Sequence, residues 1–219
     1  MKTRSYNQFC ALSFALDAIG ERWTLLVIRE LLPGPRRFTD LLDGLPGIST
    51  NLLTERLKSL EAQEIIARRT LPPPAASTVY ELTPFGRELE TPIIALGRWG
   101  SRLLPPTLDG LSMPTVGTAS VAIKAFFNPA AAQDVDEIYE WRFGIESLQV
   151  QAKGGQLCIQ QGQYFMADVV FHADMTVFMG LFSGQLPPED ALAAGLIRID
   201  GDLEAIHRFL AISSVPQTR

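Results

Sequence analysis

Ile48-Ser49-Thr50-Asn51-Leu52-Leu53-Thr54-Glu55-Arg56-Leu57-Lys58-Ser59-Leu60-Glu61-Ala62-Gln63-Glu64-Ile65-Ile66-Ala67-Arg68-Arg69 is the stretch whose reading decides the fold. Leu53, Leu57 and Leu60 recur at i, i+4 and i+7, one face of a 3.6-residue helix. Ser49 or Thr50 can cap its start, because a hydroxyl there accepts from an orphan backbone N–H. Asn51, Thr54, Glu55 and Lys58 fall on the opposite face, which is polar and rich in hydrogen-bonding groups. Ile65, Ile66 and Ala67 then make a short apolar strand that ends in Arg68-Arg69. A Pro-rich tip follows from Leu71 to Ser77, and Thr78-Val79-Tyr80-Glu81-Leu82 returns as a second strand. Periodicity alone also fits an ordinary amphipathic helix. The hairpin directly after it, with arginines at its mouth, favours a winged helix, whose recognition helix fills a major groove while the wing lies along the backbone.

Upstream, Phe9 to Ile19 reads as a first helix, with Leu12, Ala15, Leu16 and Ile19 on one side and Gly20 as its stop. Lys2 and Arg4 ahead of an apolar run faintly imitate a signal peptide. Asp17, Glu21 and Arg22 come too soon, and no small-residue cleavage site follows. Trp23 to Leu32 is a second, buried helix, broken by Pro33-Gly34-Pro35, and Phe38 to Leu42 a short third. After the wing, Thr83 caps a long helix, 84–104, with Pro84 at its first position and Pro92 as an expected kink. Residues 1–104 are thus a mainly helical winged helix-turn-helix domain, and 105–118, rich in Pro, Gly, Ser and Thr, a linker.

From 119 to 215 the pattern changes. Tyr139, Trp141 and Phe143, then Leu148, Val150 and Ala152, then Leu157 and Ile159, then Val169 and Phe171 alternate in the strand period, with Gly154-Gly155 as a tight hairpin. Val121 to Phe127 reads as a helix before these strands. Asp174, Pro187-Pro188 and Asp202 each open a helix after them, with Leu196 to Ile199 as a closing strand. The chain is therefore α+β. An antiparallel sheet with one face covered by helices follows the helical N-terminal domain.

Charge divides the same way. Within the net −5 of the 219 residues, the part up to Leu104 holds 13 Lys and Arg against 11 Asp and Glu, or +2, and the rest 6 against 13, or −7. Only the first half suits phosphates. Two cysteines are too few for a disulfide framework and fit a reducing cytosol, so a cytoplasmic protein is expected, with no membrane span.

Residues through Gly100 resemble the HxlR family of bacterial winged-helix transcriptional regulators. The resemblance rests on Cys10 before Leu16-Asp17-Ala18-Ile19-Gly20-Glu21-Arg22-Trp23-Thr24-Leu25-Leu26, on Arg36-Arg37-Phe38, and on Ile48-Ser49. It continues through Leu53-Thr54-Glu55-Arg56-Leu57-Lys58-Ser59-Leu60-Glu61, Tyr80-Glu81-Leu82-Thr83-Pro84-Phe85-Gly86-Arg87 and Trp99-Gly100. Two positions depart from the family: Glu64 stands where glycine is usual, and Ala11 where proline usually follows the cysteine. Residues of about 120–213 look like a sterol-carrier-protein-type domain, on Asp168-Val169-Val170-Phe171, Phe178-Met179-Gly180-Leu181-Phe182-Ser183-Gly184, Asp190-Ala191-Leu192-Ala193-Ala194-Gly195 and Ile199-Asp200-Gly201-Asp202. Such folds enclose an apolar tunnel between sheet and helices, and tandem architectures of this sort are similar to ligand-responsive repressors.

These readings assign residues. Arg36, Arg37, Arg68 and Arg69 flank the recognition helix and suit phosphate contact. Thr50, Asn51, Thr54 and Lys58 are base-edge candidates, with Ser49 at the helix start also in the interface; Asn51 suits bidentate pairing with adenine. Arg56, at the edge of the apolar face, reads as an ion-paired buttress. Trp141, Leu148, Leu157, Ile159 and Phe171 would face Val177, Phe178 and Phe182 across an apolar ligand site. Cys10 is a redox candidate, since some relatives sense electrophiles or disulfide stress with the equivalent cysteine, and Lys2 and Arg4 would help lower its pKa. His172 and His207 belong to no metal spacing, no Gly-x-Ser-x-Gly elbow occurs, and neither catalysis, metal nor cofactor is expected.

The expected partners are a double-stranded DNA operator, a second copy joined through the first helix and the 84–104 helix, and an apolar or aromatic effector. Two further readings stay open: a repressor switched through Cys10, and a lipid carrier whose winged helix only docks it.

Overall fold

The computed structural model describes residues 5–72, 76–105, 110–162 and 166–215. The chain divides into two compact units, Met1–Ile93 and Ile94–Arg219.

In the first unit α1 (Ala11–Ile19) and α2 (Thr24–Leu31) precede a two-residue strand β1 (Arg36–Arg37), then α3 (Phe38–Asp43) and α4 (Thr50–Ala62). Strands β2 (Ile66–Thr70) and β3 (Thr78–Leu82) form the expected hairpin, pairing Ile66 with Leu82 and Arg68 with Tyr80. β1 joins the other edge of β3, so the order is β1-β3-β2. Ser49 caps α4, its hydroxyl accepting from the Leu52 N–H at 3.3 Å. Leu53, Leu57 and Leu60 are buried, as are Val27, Ile28 and Leu31 of α2. Burying each leucine contributes about 1.5–3 kcal/mol.

The turn from α4 into β2 takes an unusual form. Glu64 adopts the left-handed conformation, φ +57°, while the Ile65 N–H donates to the Leu60 carbonyl at 3.0 Å. Glutamate thus takes up the backbone that glycine would adopt more cheaply, at a cost of about 1–2 kcal/mol. At Cys10 the outcome is simpler. Cys10 is the N-cap of α1 and Ala11 the first helical residue, a position proline fills well because its missing N–H has no partner there anyway.

Two boundaries differ from expectation. The 84–104 helix is not continuous: α5 (Pro84–Arg87) ends, α6 (Glu90–Gly100) starts afresh, and Ser101–Leu103 is a 3₁₀ turn. Pro92 does not kink a helix interior; it lies in the first turn of α6, where no intrahelical donor is needed. At the start of α5, Thr83 accepts from the Gly86 N–H at 3.0 Å. Its own N–H donates to the Ile65 carbonyl at 3.1 Å, and its hydroxyl donates to the neighbouring Glu64 carbonyl at 2.6 Å. A β-carbon on Gly86 would lie 1.9 Å from the Ile65 oxygen, far closer than any carbon–oxygen contact allows, so only glycine fits.

In the second unit α7 (Val116–Ala125) begins within the stretch read as linker. Thr115 starts it by accepting from the Thr118 N–H at 3.1 Å, and Gly117, Ala119 and Ser120 are all buried. Small residues that mimic a linker in composition here allow close helix packing. Residues 106–109 of that stretch lie outside the described residues. Strands β4 (Asp136–Phe143), β5 (Glu146–Lys153), β6 (Gln156–Gln161), β7 (Val169–Ala173) and β8 (Ile197–Asp200) form one sheet in the order β6-β5-β4-β7-β8. All pairings are antiparallel except β4 with β7, which is parallel and needs a crossover. Gly154 and Gly155, both at positive φ, turn β5 into β6. Helices α8 (Met175–Ser183), α9 (Pro188–Ala193) and α10 (Ala205–Ile212) follow. Phe178, Phe182, Ile206 and Phe209 from these helices join Tyr139, Trp141 and Phe171 in one buried core.

Candidate nucleic-acid interface and candidate ligand core

With Leu53, Leu57 and Leu60 turned inward, α4 presents Thr50, Asn51 and Lys58 to solvent, and Thr54 is half-buried. The two threonines are coupled, because the Thr54 hydroxyl donates to the Thr50 carbonyl at 2.8 Å. Ser49 is exposed, but its oxygen is committed to capping. Asn51 and Lys58 are therefore the base-edge candidates with the least local competition.

Arg56 is a buttress as expected. Only 12% of its side chain is exposed. Its Nε donates to the Arg22 carbonyl and its Nη2 to Glu21, each at 3.2 Å. Gln63 adds a 3.4 Å bond to the Ala18 carbonyl. The back of α4 is thus tied to the end of α1 and the following loop, where Trp23 takes a left-handed backbone and Arg22 lies 5.5 Å over its ring.

The four arginines do not share one fate. Arg36 is 5% exposed and faces the buried carboxylate of Glu30, 4.0 Å away, which Arg29 also holds at 2.6 Å. It cannot reach a phosphate, contrary to the expectation from its position beside the recognition helix. A guanidinium removed from water persists only beside a carboxylate, and Glu30 is that partner. Arg37 is exposed at the N-cap of α3, where its N–H donates to Asp40 at 3.0 Å. Arg68 is exposed on β2. Arg69 is also exposed but is engaged in a two-pronged pair with Glu81 on β3, both bonds 3.0 Å. Its charge is largely compensated unless DNA displaces Glu81. Tip residues 73–75 lie outside the described set.

Cys10 is exposed, and its thiol is held below the usual cysteine value. The Ser13 N–H contributes most, then the Leu12 N–H, then the Ser13 hydroxyl. A thiolate accepts these free donors of the first helical turn, as an anion at a helix N-terminus does. Lys2 and Arg4, expected to assist, lie outside the described residues.

The expected ligand-facing residues come together in the second unit. Trp141, Leu148, Ile159, Phe171, Phe178 and Phe182 are buried, while Leu157 and Val177 pack half-buried against them. The Trp141 ring lies 4.5 Å from Phe171, 4.9 Å from Phe178 and 5.3 Å from Phe209. Phe209 was not among the residues expected; it lies on the last helix, beyond the strand pattern that revealed the others. The rim carries a clasp that sequence also missed. Arg208 grips Glu137 at 2.6 Å and Asp202 at 2.9 Å, and the Tyr139 hydroxyl donates to Glu137. Burial pushes the Glu137 carboxyl up, but the bonds from Arg208 and Tyr139 outweigh it and hold the group below its ordinary value. Burial and the Glu137 bond push the Tyr139 phenol well up.

His172 contacts Asp200 at 2.8 Å and His207 lies 3.6 Å from Glu189. Among the described residues no group of three or more His, Cys, Asp or Glu could hold a metal ion, and no helix is long and apolar enough to cross a membrane.

Comparison with known proteins fits this geometry. Residues 18–107 match the HxlR-like helix-turn-helix model, and 127–213 the SCP-2 sterol transfer family. The HTH-type transcriptional regulator sll1512 of Synechocystis sp. is 42% identical over 95 residues, 43% of this chain and 70% of that protein. The HTH-type transcriptional regulator YodB of Bacillus subtilis is 35% identical over 101 residues, 46% of this chain and 90% of that one. The solved reduced form of YodB from B. subtilis aligns over 46% of this chain and 99% of that chain, with 34% identity and a TM-score of 0.39. The chain belongs to the HxlR-like helix-turn-helix family of transcriptional regulators, and it carries an SCP-2-type domain C-terminal to that module.

Proposed function

We propose that this protein binds a specific DNA operator as a homodimer in the cytoplasm, and that an apolar effector held by the SCP-2-type domain changes its affinity for DNA. The observation that carries the DNA reading is α4 itself: its leucine face is buried while Asn51 and Lys58 stand exposed beside a hairpin bearing Arg68. Such a helix can read base edges while exposed cations at its flanks hold the backbone.

Homodimerisation rests on α1. Leu12, Phe14 and Leu16 are exposed along this helix, and only Ser13 is buried. A helix this apolar needs a partner, and two recognition helices must sit about 34 Å apart to read successive major grooves. Effector binding rests on the apolar cluster between sheet and helices together with the match to the SCP-2 sterol transfer family.

Footprinting and quantitative binding on a cognate promoter fragment test the DNA reading. Asn51→Ala should cost about 1–3 kcal/mol on the cognate site and relax its sequence preference. Arg37→Ala or Arg68→Ala should weaken all DNA alike and flatten the salt dependence by about one contact. Equal loss on specific and random DNA by both kinds of variant would refute the recognition-helix assignment.

A second reading is a repressor switched by oxidation or alkylation of Cys10, and the exposed, thiolate-favouring N-cap supports it. If it holds, Cys10→Ser should abolish any response of operator binding to electrophiles while leaving basal binding intact.

A further inference from the structure

A cleft of about 610 Å³ opens on the first unit where the end of α4, strand β2 and the start of α5 meet. Glu61, from the last turn of α4, and Glu64, from the turn after it, bring two exposed carboxylates to its lining. Pro84 and Phe85 line it from α5, and Phe85 remains 61% exposed. Ile66 and Arg68 line it from β2, two residues apart and therefore on one face of that strand.

The charges around this cleft are uncommitted. The side chains of Glu61, Glu64 and Arg68 make no hydrogen bond or ion pair among the described residues, whereas Arg69 next door is held by Glu81. Glu64 stands four residues before Arg68, and a largely extended chain of that length spans about 10–13 Å. The cleft thus has an acidic end and a basic end, with Ile66 midway along the strand between them and the Phe85 ring open beside it. The turn does not ask for the acid. Glu64 takes a left-handed backbone that glycine would adopt more cheaply.

We propose that this cleft binds a linear zwitterion, a small molecule with an ammonium group and a carboxylate at opposite ends of an apolar spacer. The ammonium donates to Glu61 and Glu64, the Arg68 guanidinium donates to the carboxylate, and the spacer lies along Pro84 and Phe85. An α-amino acid holds its two charges too close together to reach both ends. A simple amine leaves Arg68 unmet, and a simple carboxylate meets Glu61 and Glu64 as like charges. The site is independent of the apolar effector proposed for the second unit.

The test uses the full chain and three probes of matched length: 6-aminohexanoate, hexylammonium and hexanoate at neutral pH. Affinities are read from the amide shifts of Ile66, Arg68 and Phe85 in NMR titrations, so that binding elsewhere on the chain does not count. The zwitterion should bind roughly fivefold tighter than either singly charged probe. Glu64→Gly removes one carboxylate from a turn that glycine suits, so the fold is kept. It should weaken 6-aminohexanoate and hexylammonium and leave hexanoate no weaker. Arg68→Ala, at an exposed strand position, should weaken 6-aminohexanoate and hexanoate and spare hexylammonium. A purely structural role for these residues would move all three probes together. Absence of shifts at these amides with 6-aminohexanoate, equal affinity for the three probes, or an equal loss of all three in both variants overturns the proposal.

Discussion

Helices α1 and α10 are of nearly the same length and similarly amphipathic in sequence, yet they end in opposite environments. In α10, Ile206, Phe209 and Ile212 are buried, and Phe209 packs on Tyr139, Trp141 and Phe171. In α1 only Ser13 is buried, and Leu12 remains 67% exposed. The sequence pattern that announces a core helix does not say whose core it belongs to. α10 finds its partner within its own domain. α1 presents an apolar face that a second copy can cover, which is how an isologous dimer interface is built.

The largest effect expected from breaking this contrast is at Phe209. Phe209→Ala should lower stability by about 3–5 kcal/mol in denaturant unfolding, because it removes a ring on which three other aromatics pack. A loss near zero would mean that α10 is not held by its core face. A smaller and different effect is expected on α1. Leu12→Asp should leave the fold intact but weaken self-association, by about 1.5–3 kcal/mol in sedimentation equilibrium. If that variant unfolds the monomer, or if the unaltered protein is a concentration-independent monomer that binds its operator specifically, the contrast fails.

The smallest effect concerns the clasp that ties α10 to β4. Glu137 is held below its ordinary pKa, so the stability it contributes is fully present above the unfolded carboxylate value and is lost as pH falls through the lower folded value. Arg208→Ala should cost about 0.5–1 kcal/mol at neutral pH, since both partners are partly solvated. The gap between unaltered and substituted protein should close on acidification below the ordinary glutamate range. A gap that persists at low pH would assign the effect to lost packing of the Arg208 stem instead.

What the sequence discloses, and what it hides, divides along the same physical line. The α4 helix and the wing were legible because a leucine period, a serine cap and a Pro-rich tip are local signals. The Gly154-Gly155 hairpin was legible for the same reason. The parallel pairing of β4 with β7 left no local mark, since it joins strands that are not neighbours in the chain. Pro92 misled, because proline breaks a helix interior but is welcome in a first turn, and only the new start at Glu90 tells the two apart. Composition misled at 116–118, where small residues pack a helix instead of loosening a linker.

Among the arginines, charge alone could not separate Arg36 from Arg37. Glu30, which buries Arg36, stands on another element. Arg69 likewise looks like a free cation until the hairpin register brings Glu81 within reach. Side chains that meet only through tertiary or cross-strand geometry are the ones that sequence reading misplaced.

The Ile65 carbonyl oxygen has a mechanical consequence for the wing. The Thr83 N–H donates to it, and Gly86 leaves no space between it and the first turn of α5. Strand β2 and helix α5 are pinned at one atom, with clearance too small for even a methyl group. Any rotation of α5 must therefore carry the root of β2 with it, and the arginines along that strand swing through an arc set by their distance from the pin.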